Sequence, residues 1–265
     1  MASVSQHRPK RRGRWEEVAA SVLPDLRHLG SWDPIPPMWL EGRIYLEYLR
    51  LIRDPVYRGV EVPPGLGRPV MLIPGFFAGD WTLGTPYQWL RRVGYRPQMA
   101  GVAFNVTYSE VMLRPLVDAL QRIHHRTGTR VSLVGHSRGG VLAKVLSHRK
   151  PELVEQVIAL GSPLNDPFDI HPLTMAGVRA AHLYNVFRYG HPASVEMRFL
   201  RDLAAEPRVP TTSIYSRSDG VVSWRACLRR DVNGIEVRGS HVGLALNPEV
   251  YRILAQLLPA PWRHR

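Results

Sequence analysis

From residue 68 onward, short apolar runs alternate with longer stretches whose apolar positions recur every three or four residues. The short runs predict strands at Pro69 to Ile73, Arg96 to Val102, Val131 to Val134, Gln156 to Leu160, Thr212 to Ser216 and Ile235 to Arg238. The longer stretches predict helices over Tyr87 to Val93, over Ser109 to Arg126, through Lys144, Leu146 and His148, and over Pro248 to Leu258. Runs this apolar suit strands buried on both faces. Their alternation with helices predicts an α/β fold with a mostly parallel sheet flanked by helices.

Two intervals depart from the pattern. Residues 1–66 read as a basic arm, Met1 to Arg14, followed by a helical extension. Helical spacing recurs at Val18, Val22, Leu26 and Leu29, across Pro24, and again in Met38 to Arg53 at Trp39, Ile44, Leu46, Leu49 and Ile52. A proline-rich connector, Trp32 to Pro37, joins the two, and Pro63-Pro64-Gly65-Leu66-Gly67 leads into the core. The second interval, residues 164–208, carries no convincing strand, four prolines and many apolar residues. It is expected to be a helical cap inserted between the two parts of the core, residues 67–163 and 209–265.

Composition changes this picture little. A chain of 265 residues with 45% hydrophobic residues can bury a sizeable core. Its net charge is +13, almost all from arginine, since the only lysines are Lys10, Lys144 and Lys150. The arginines beyond residue 14 are scattered, so no nucleic-acid partner is expected, and only weak association with an anionic membrane surface stays open. A single cysteine, Cys227, excludes an internal disulfide and fits a reducing compartment. No apolar run reaches the length of a membrane span, and the reading is of a soluble cytoplasmic protein. Oligomeric state is not legible.

The chemistry centres on Gly135-His136-Ser137-Arg138-Gly139. Between a buried strand and a helix start, Gly-x-Ser-x-Gly makes a tight turn that lifts the serine hydroxyl above the sheet edge. The glycines stand where a side chain would strike the neighbouring strand or helix. A serine needs a base and an acid that orients the base, and in such folds they follow later in the chain. His241, in Gly239-Ser240-His241-Val242-Gly243 after the last strand, is the expected base. Asp219, in the loop after the preceding strand, is the expected acid, with Asp231 its chief rival. Oxyanion donors are expected in the backbone N–H groups of Arg138 and of Phe76, the latter preferred over Phe77. His136 is expected as a supporting residue or a wall of the substrate pocket. Phe77, Phe168, Leu183 and Phe187 are the other substrate-binding candidates. No metal cluster, dinucleotide fingerprint or P-loop is present, so no cofactor and no metal are expected.

With these residues in place, the chain resembles the α/β-hydrolase superfamily over roughly Arg68 to Pro259. It is most similar to lipase-like serine esterases that carry Gly-His-Ser-x-Gly-Gly and, after the next strand, a Gly-Ser-Pro turn, here Gly161-Ser162-Pro163. Two departures stand out. Pro74 replaces the histidine of a His-Gly oxyanion turn, and the N-terminal segment reads as helical where many relatives have a β-hairpin. The resemblance implies cleavage of carboxylic esters through an acyl-enzyme. The apolar cap suggests a small-molecule ester or lipid with an apolar acyl group. An acyltransferase would share every one of these residues, and a non-catalytic binding protein on the same scaffold is the remaining alternative.

Overall fold

A computed structural model describes residues 35–190 and 193–259. A 3₁₀ turn, Met38–Arg43, leads into α1 (Ile44–Arg53) and the short α2 (Pro55–Arg58). The core then runs β1 (Pro69–Ile73), α3 (Gly84–Arg92), β2 (Arg96–Met99), α4 (Ser109–Thr127), β3 (Val131–His136), α5 (Arg138–Arg149) and β4 (Val154–Leu160). Two helices follow, α6 (Pro172–Tyr189) and α7 (Ala193–Ala204), then β5 (Thr211–Tyr215), β6 (Asn233–Glu236) and α8 (Pro248–Leu257).

The six strands form one sheet in the order β2-β1-β3-β4-β5-β6, and every pair is parallel. Successive residues of a strand point to opposite faces, and both faces are buried. Met71, Ile73 and Leu133 join α4, α5 and α7 in one core, through Leu116, Leu120, Leu142, Leu146, Phe199 and Leu203. Val70, Leu72 and Val134 join α1, α2, α3 and α8 in the other, through Leu51, Val56, Trp89, Leu90, Val250 and Leu254. Register aligns Ile73 with Gly135, His136 with Leu160 and Leu160 with Ile214, so the loops after these strands emerge along one edge.

Several boundaries differ from the expected ones. β2 stops at Met99 because the chain turns toward the sheet edge, where the Gly101 and Val102 N–H groups donate to the Asp80 carboxylate. β6 begins at Asn233, two residues before the expected Ile235, and as an edge strand it takes its register from β5 alone. The basic arm and the helix expected near Glu16 to Gly30 lie outside the described residues.

The helical extension is part of the core. Leu51 and Val56 are buried, and the indole N–H of Trp89 donates to the Val56 carbonyl at 2.8 Å. The interval expected to be a single cap divides in two. Phe199 and Leu203 of α7 pack against α4 and α5, and Lys144 Nζ donates to the Leu203 and Ala205 carbonyls. Only the stretch ending in α6 lies over the sheet edge.

Because Leu51 is fully buried, Leu51→Ala should cost about 2–5 kcal/mol. Urea unfolding followed by circular dichroism measures this. A midpoint no lower than that of the exposed variant Arg50→Ala would show that the extension packs only peripherally.

Candidate active site

Ser137 joins β3 to α5 with φ 53° and ψ −126°, a positive-φ conformation that a non-glycine residue rarely adopts. The surroundings enforce it. A Cβ on Gly139 would lie 2.1 Å from the Ile73 carbonyl oxygen, and one on Gly135 would lie 2.4 Å from the Gly139 backbone. The helix therefore meets the sheet with no side chain between them. Ser137 N–H donates to the Leu160 carbonyl at 2.8 Å, which ties the turn to the end of β4. The residue remains partly exposed at the positive end of the α5 dipole.

Asp219 and His241 come together from the loops after β5 and β6. Both are buried, and His241 Nδ1 stands 2.7 Å from Asp219 Oδ2. Asp219 Oδ1 accepts from the Val221 and Val222 N–H groups, each at 2.8 Å, which leaves Oδ2 for the imidazole. A Cβ on Gly161 would lie 3.2 Å from both Asp219 Oδ2 and His241 Nδ1, so the pair lies over the end of β4, the strand that binds Ser137 N–H. Asp231, the rival acid, is exposed and paired with Arg229 at 2.7 Å.

Burial works to lower the His241 pKa. The charge and hydrogen bond of Asp219, with the charge of Glu41, outweigh it and raise the value above the ordinary 6.5. His136 behaves oppositely: burial, then the neighbouring His241, lower its pKa to about 4. It is neutral at ordinary pH. Its Nε2 lies 2.9 Å from the His241 carbonyl oxygen, which can only accept, so Nε2 carries the proton. The 4.9 Å between the ring centroids completes this support. Facing His241 from inside the core, His136 holds that loop.

The loop after β1 closes the other side. A Cβ on Gly75 would lie 3.0 Å from Ser137 Cβ. Phe77 N–H is engaged by the Asn105 carbonyl at 3.2 Å, whereas Phe76 N–H has no acceptor among the described residues. Asn105 is fully buried, and its Nδ2 donates to the Pro74 carbonyl at 2.9 Å while its N–H donates to Ala78. The Arg138 guanidinium reaches the same segment at the Asn105 and Thr107 carbonyls and at Ser109 Oγ. Burial lowers the Arg138 pKa to about 10, so it stays charged.

Phe76, Phe77 and Phe104 form an edge-to-face aromatic row, and α6 rests on it at Gly177, where a Cβ would come 3.2 Å from Phe77 Cε2. The helix turns Ala181 and Asn185 inward, and Asn185 Nδ2 donates to the Val106 carbonyl at 2.7 Å. The opposite face carries Leu183 and Phe187. Phe187 is 91% exposed and Leu183 50%, so neither lines an enclosed pocket, because both lie a half-turn from the packed side. Phe168 is half exposed in the loop that leads to α6.

Sequence reasoning missed two carboxylates at this site. Glu41 Oε1 accepts from the Gly220 and His241 N–H groups, each at 2.9 Å, and its Oε2 from Val242 N–H at 3.1 Å. Buried Glu47 accepts from Ser240 N–H at 2.7 Å and from Ser240 Oγ at 2.5 Å. Their only sequence signal is acidic residues on the inner side of an amphipathic helix, and this does not name a partner about 200 residues away. Among the described residues no three His, Cys, Asp or Glu side chains gather to hold a metal ion.

Comparison with known proteins agrees with this architecture. The model of the PGAP1-like alpha/beta domain family matches residues 101–178, a stretch that includes Ser137. No curated protein matches the chain as a sequence relative. Among solved structures, the mature lipase BlEst2 of Bacillus licheniformis superposes with a TM-score of 0.57 at 17% identity, covering 77% of this chain and 96% of that one. A monoacylglycerol lipase of Paleococcus ferrophilus gives 0.51 at 15% identity, covering 74% and 95%. MGS-MChE2, an alpha/beta hydrolase from a lagoon-sediment metagenome, gives 0.51 at 18% identity, covering 73% and 90%. The fold is that of the α/β hydrolases.

The two histidines should titrate separately. In histidine-labelled protein, NMR should show His136 neutral with its proton on Nε2 down to about pH 4, and His241 titrating above 6.5. A His136 that charges near 6.5 would contradict its buried, hydrogen-bonded placement.

Proposed function

We propose that this protein is a serine esterase that cleaves carboxylic esters through an acyl-enzyme. The observation that carries the reading is Ser137, held at positive φ after β3, together with a buried His241–Asp219 pair 2.7 Å apart in loops on the same edge of the sheet. In this reading His241 takes the proton of Ser137 as the oxygen attacks the ester carbonyl. The imidazolium is stabilised by Asp219 on Nδ1, so Nε2 is the nitrogen left to serve the serine. The backbone N–H groups of Phe76 and Arg138 receive the oxyanion, and the proton on His241 then passes to the departing alcohol. Water repeats the cycle on the acyl-enzyme. The engagement of Phe77 N–H by Asn105 supports Phe76 as the donor from this loop. Fold likeness to lipases gives the reading context but not a substrate.

For the acyl group, we assign the half-exposed aromatic row of Phe77 and Phe104 to an apolar chain. Each buried methylene is worth about 0.8 kcal/mol, so kcat/KM should climb with chain length until the row is covered. Leu183 and Phe187 face outward and are left out of this assignment.

Labelling with a fluorophosphonate probe, followed by turnover of p-nitrophenyl esters of graded length, tests the function. Ser137→Ala should abolish labelling and lower turnover by several orders of magnitude without unfolding the protein. Asp219→Asn should be severe, and Asp231→Asn close to neutral. Labelling that persists in Ser137→Ala would overturn the assignment, and the reverse result for the two aspartates would move the acid to Asp231. Labelling should also fall as pH drops through a value above 6.5, because only neutral His241 can accept the proton.

Phe77→Ala, which removes part of this row, should move the chain-length optimum, while Leu183→Ala and Phe187→Ala leave it in place. An unmoved optimum in Phe77→Ala would separate the row from acyl selection.

A further inference from the structure

We propose that Glu41 is a positioning residue for His241: its carboxylate locks the loops that carry Asp219 and His241 against each other and sets a negative charge beside the imidazole. The proposal rests on the reading of Ser137, His241 and Asp219 given above.

The geometry is specific. One oxygen, Glu41 Oε1, accepts from Gly220, the residue after Asp219, and from His241 itself, both at 2.9 Å. The other takes Val242 N–H at 3.1 Å. Because Asp219 Oδ1 takes the N–H groups of Val221 and Val222, every backbone donor from Gly220 to Val222 ends on a carboxylate. Two loops that approach from different strands are thus bridged at a single atom. Hydrogen bonds from backbone N–H to an ionised carboxylate are among the stronger ones available.

The packing leaves room for this arrangement and little else. A Cβ on Gly220 would lie 3.1 Å from Glu41 Oε1. A Cβ on Gly243 would fall 1.5 Å from Glu47 Oε2, so the glycine provides the space that the second carboxylate occupies beneath Ser240. Arg43, from the same 3₁₀ turn as Glu41, donates to the Ser218 carbonyl at 3.1 Å and fixes the turn against the Asp219 loop.

Titratable groups meet His241 and its loop from several elements. Asp219 faces Nδ1, neutral His136 holds the backbone carbonyl, Glu47 lies beyond Ser240, and Glu41 takes the backbone N–H. Arg43 is directed at Ser218. Glu41 joins Asp219 in raising the proton affinity of His241. Removing its charge therefore makes the imidazole a weaker base, which protonates at lower pH.

Two variants test this. Glu41→Gln keeps the shape and one acceptor oxygen but loses the charge. Glu41→Asp keeps the charge but is too short to bridge both loops. In Glu41→Gln the His241 titration, followed by NMR in the full chain, should move to lower pH. The acid limb of the rate profile should move with it, and kcat should fall while KM stays near the parent value. In Glu41→Asp the titration should stay close to the parent while kcat falls, because the charge remains and the bridge is lost. An unshifted His241 titration in Glu41→Gln overturns the proposal, even if turnover falls, since it leaves Glu41 only a scaffold. If the parent protein takes no fluorophosphonate at Ser137, the functional reading itself fails. If the parent labels and both variants match it in titration and kcat, only the role of Glu41 fails.

Discussion

Everything at this site depends on how closely α5 approaches the sheet. With hydrogens for side chains, Gly139 lies against the Ile73 carbonyl and Gly135 against the helix backbone. Gly140 extends the contact to Ser162, where a Cβ would sit 2.1 Å from the hydroxyl oxygen. A single methyl group at any of these points would lift the helix, and Ser137 would relax out of its positive-φ turn. The strain at one residue is thus borne by packing from three strands, and it is maintained because the rest of the core is built around it.

The remaining groups are arranged around that fixed point by hydrogen bonds from their own neighbours. Asp219 is oriented by two N–H groups of its loop, His241 by Asp219 on one side and His136 on the other, and the Phe76 loop by Asn105. Few of these interactions involve a reacting atom. Their common effect is to remove alternatives: each of these side chains is left with one orientation, which in the proposed reading keeps reorganisation during proton transfer small.

The parallel strands and the elbow were legible because their signals are local, a run of buried residues or a glycine spacing. His241 and Asp219 could be read from their places in loops after predicted strands. The bridging carboxylates could not. Glu41 lies in a 3₁₀ turn and Glu47 in α1, a stretch whose spacing says only that one side is packed, and their partners are far along the chain. The split of residues 164–208 was hidden for a similar reason. The helices α6 and α7 are both apolar and proline-bounded, and only tertiary packing shows that Phe199 and Leu203 fill the main core while Phe187 faces solvent. His136 was readable as a support or a pocket wall, but its partner, the His241 carbonyl 105 residues away, was not.

The meeting of the 3₁₀ turn and α1 with the loops after β5 and β6 couples stretches far apart in sequence. Residues 41 and 47 hold backbone groups of residues 220 and 240–242. The turn that strains Ser137 is packed by β1, β3 and the end of β4, whereas these two carboxylates meet their donors only where the later loops dock on them. In the proposed reading, hydrolytic competence therefore waits on that docking.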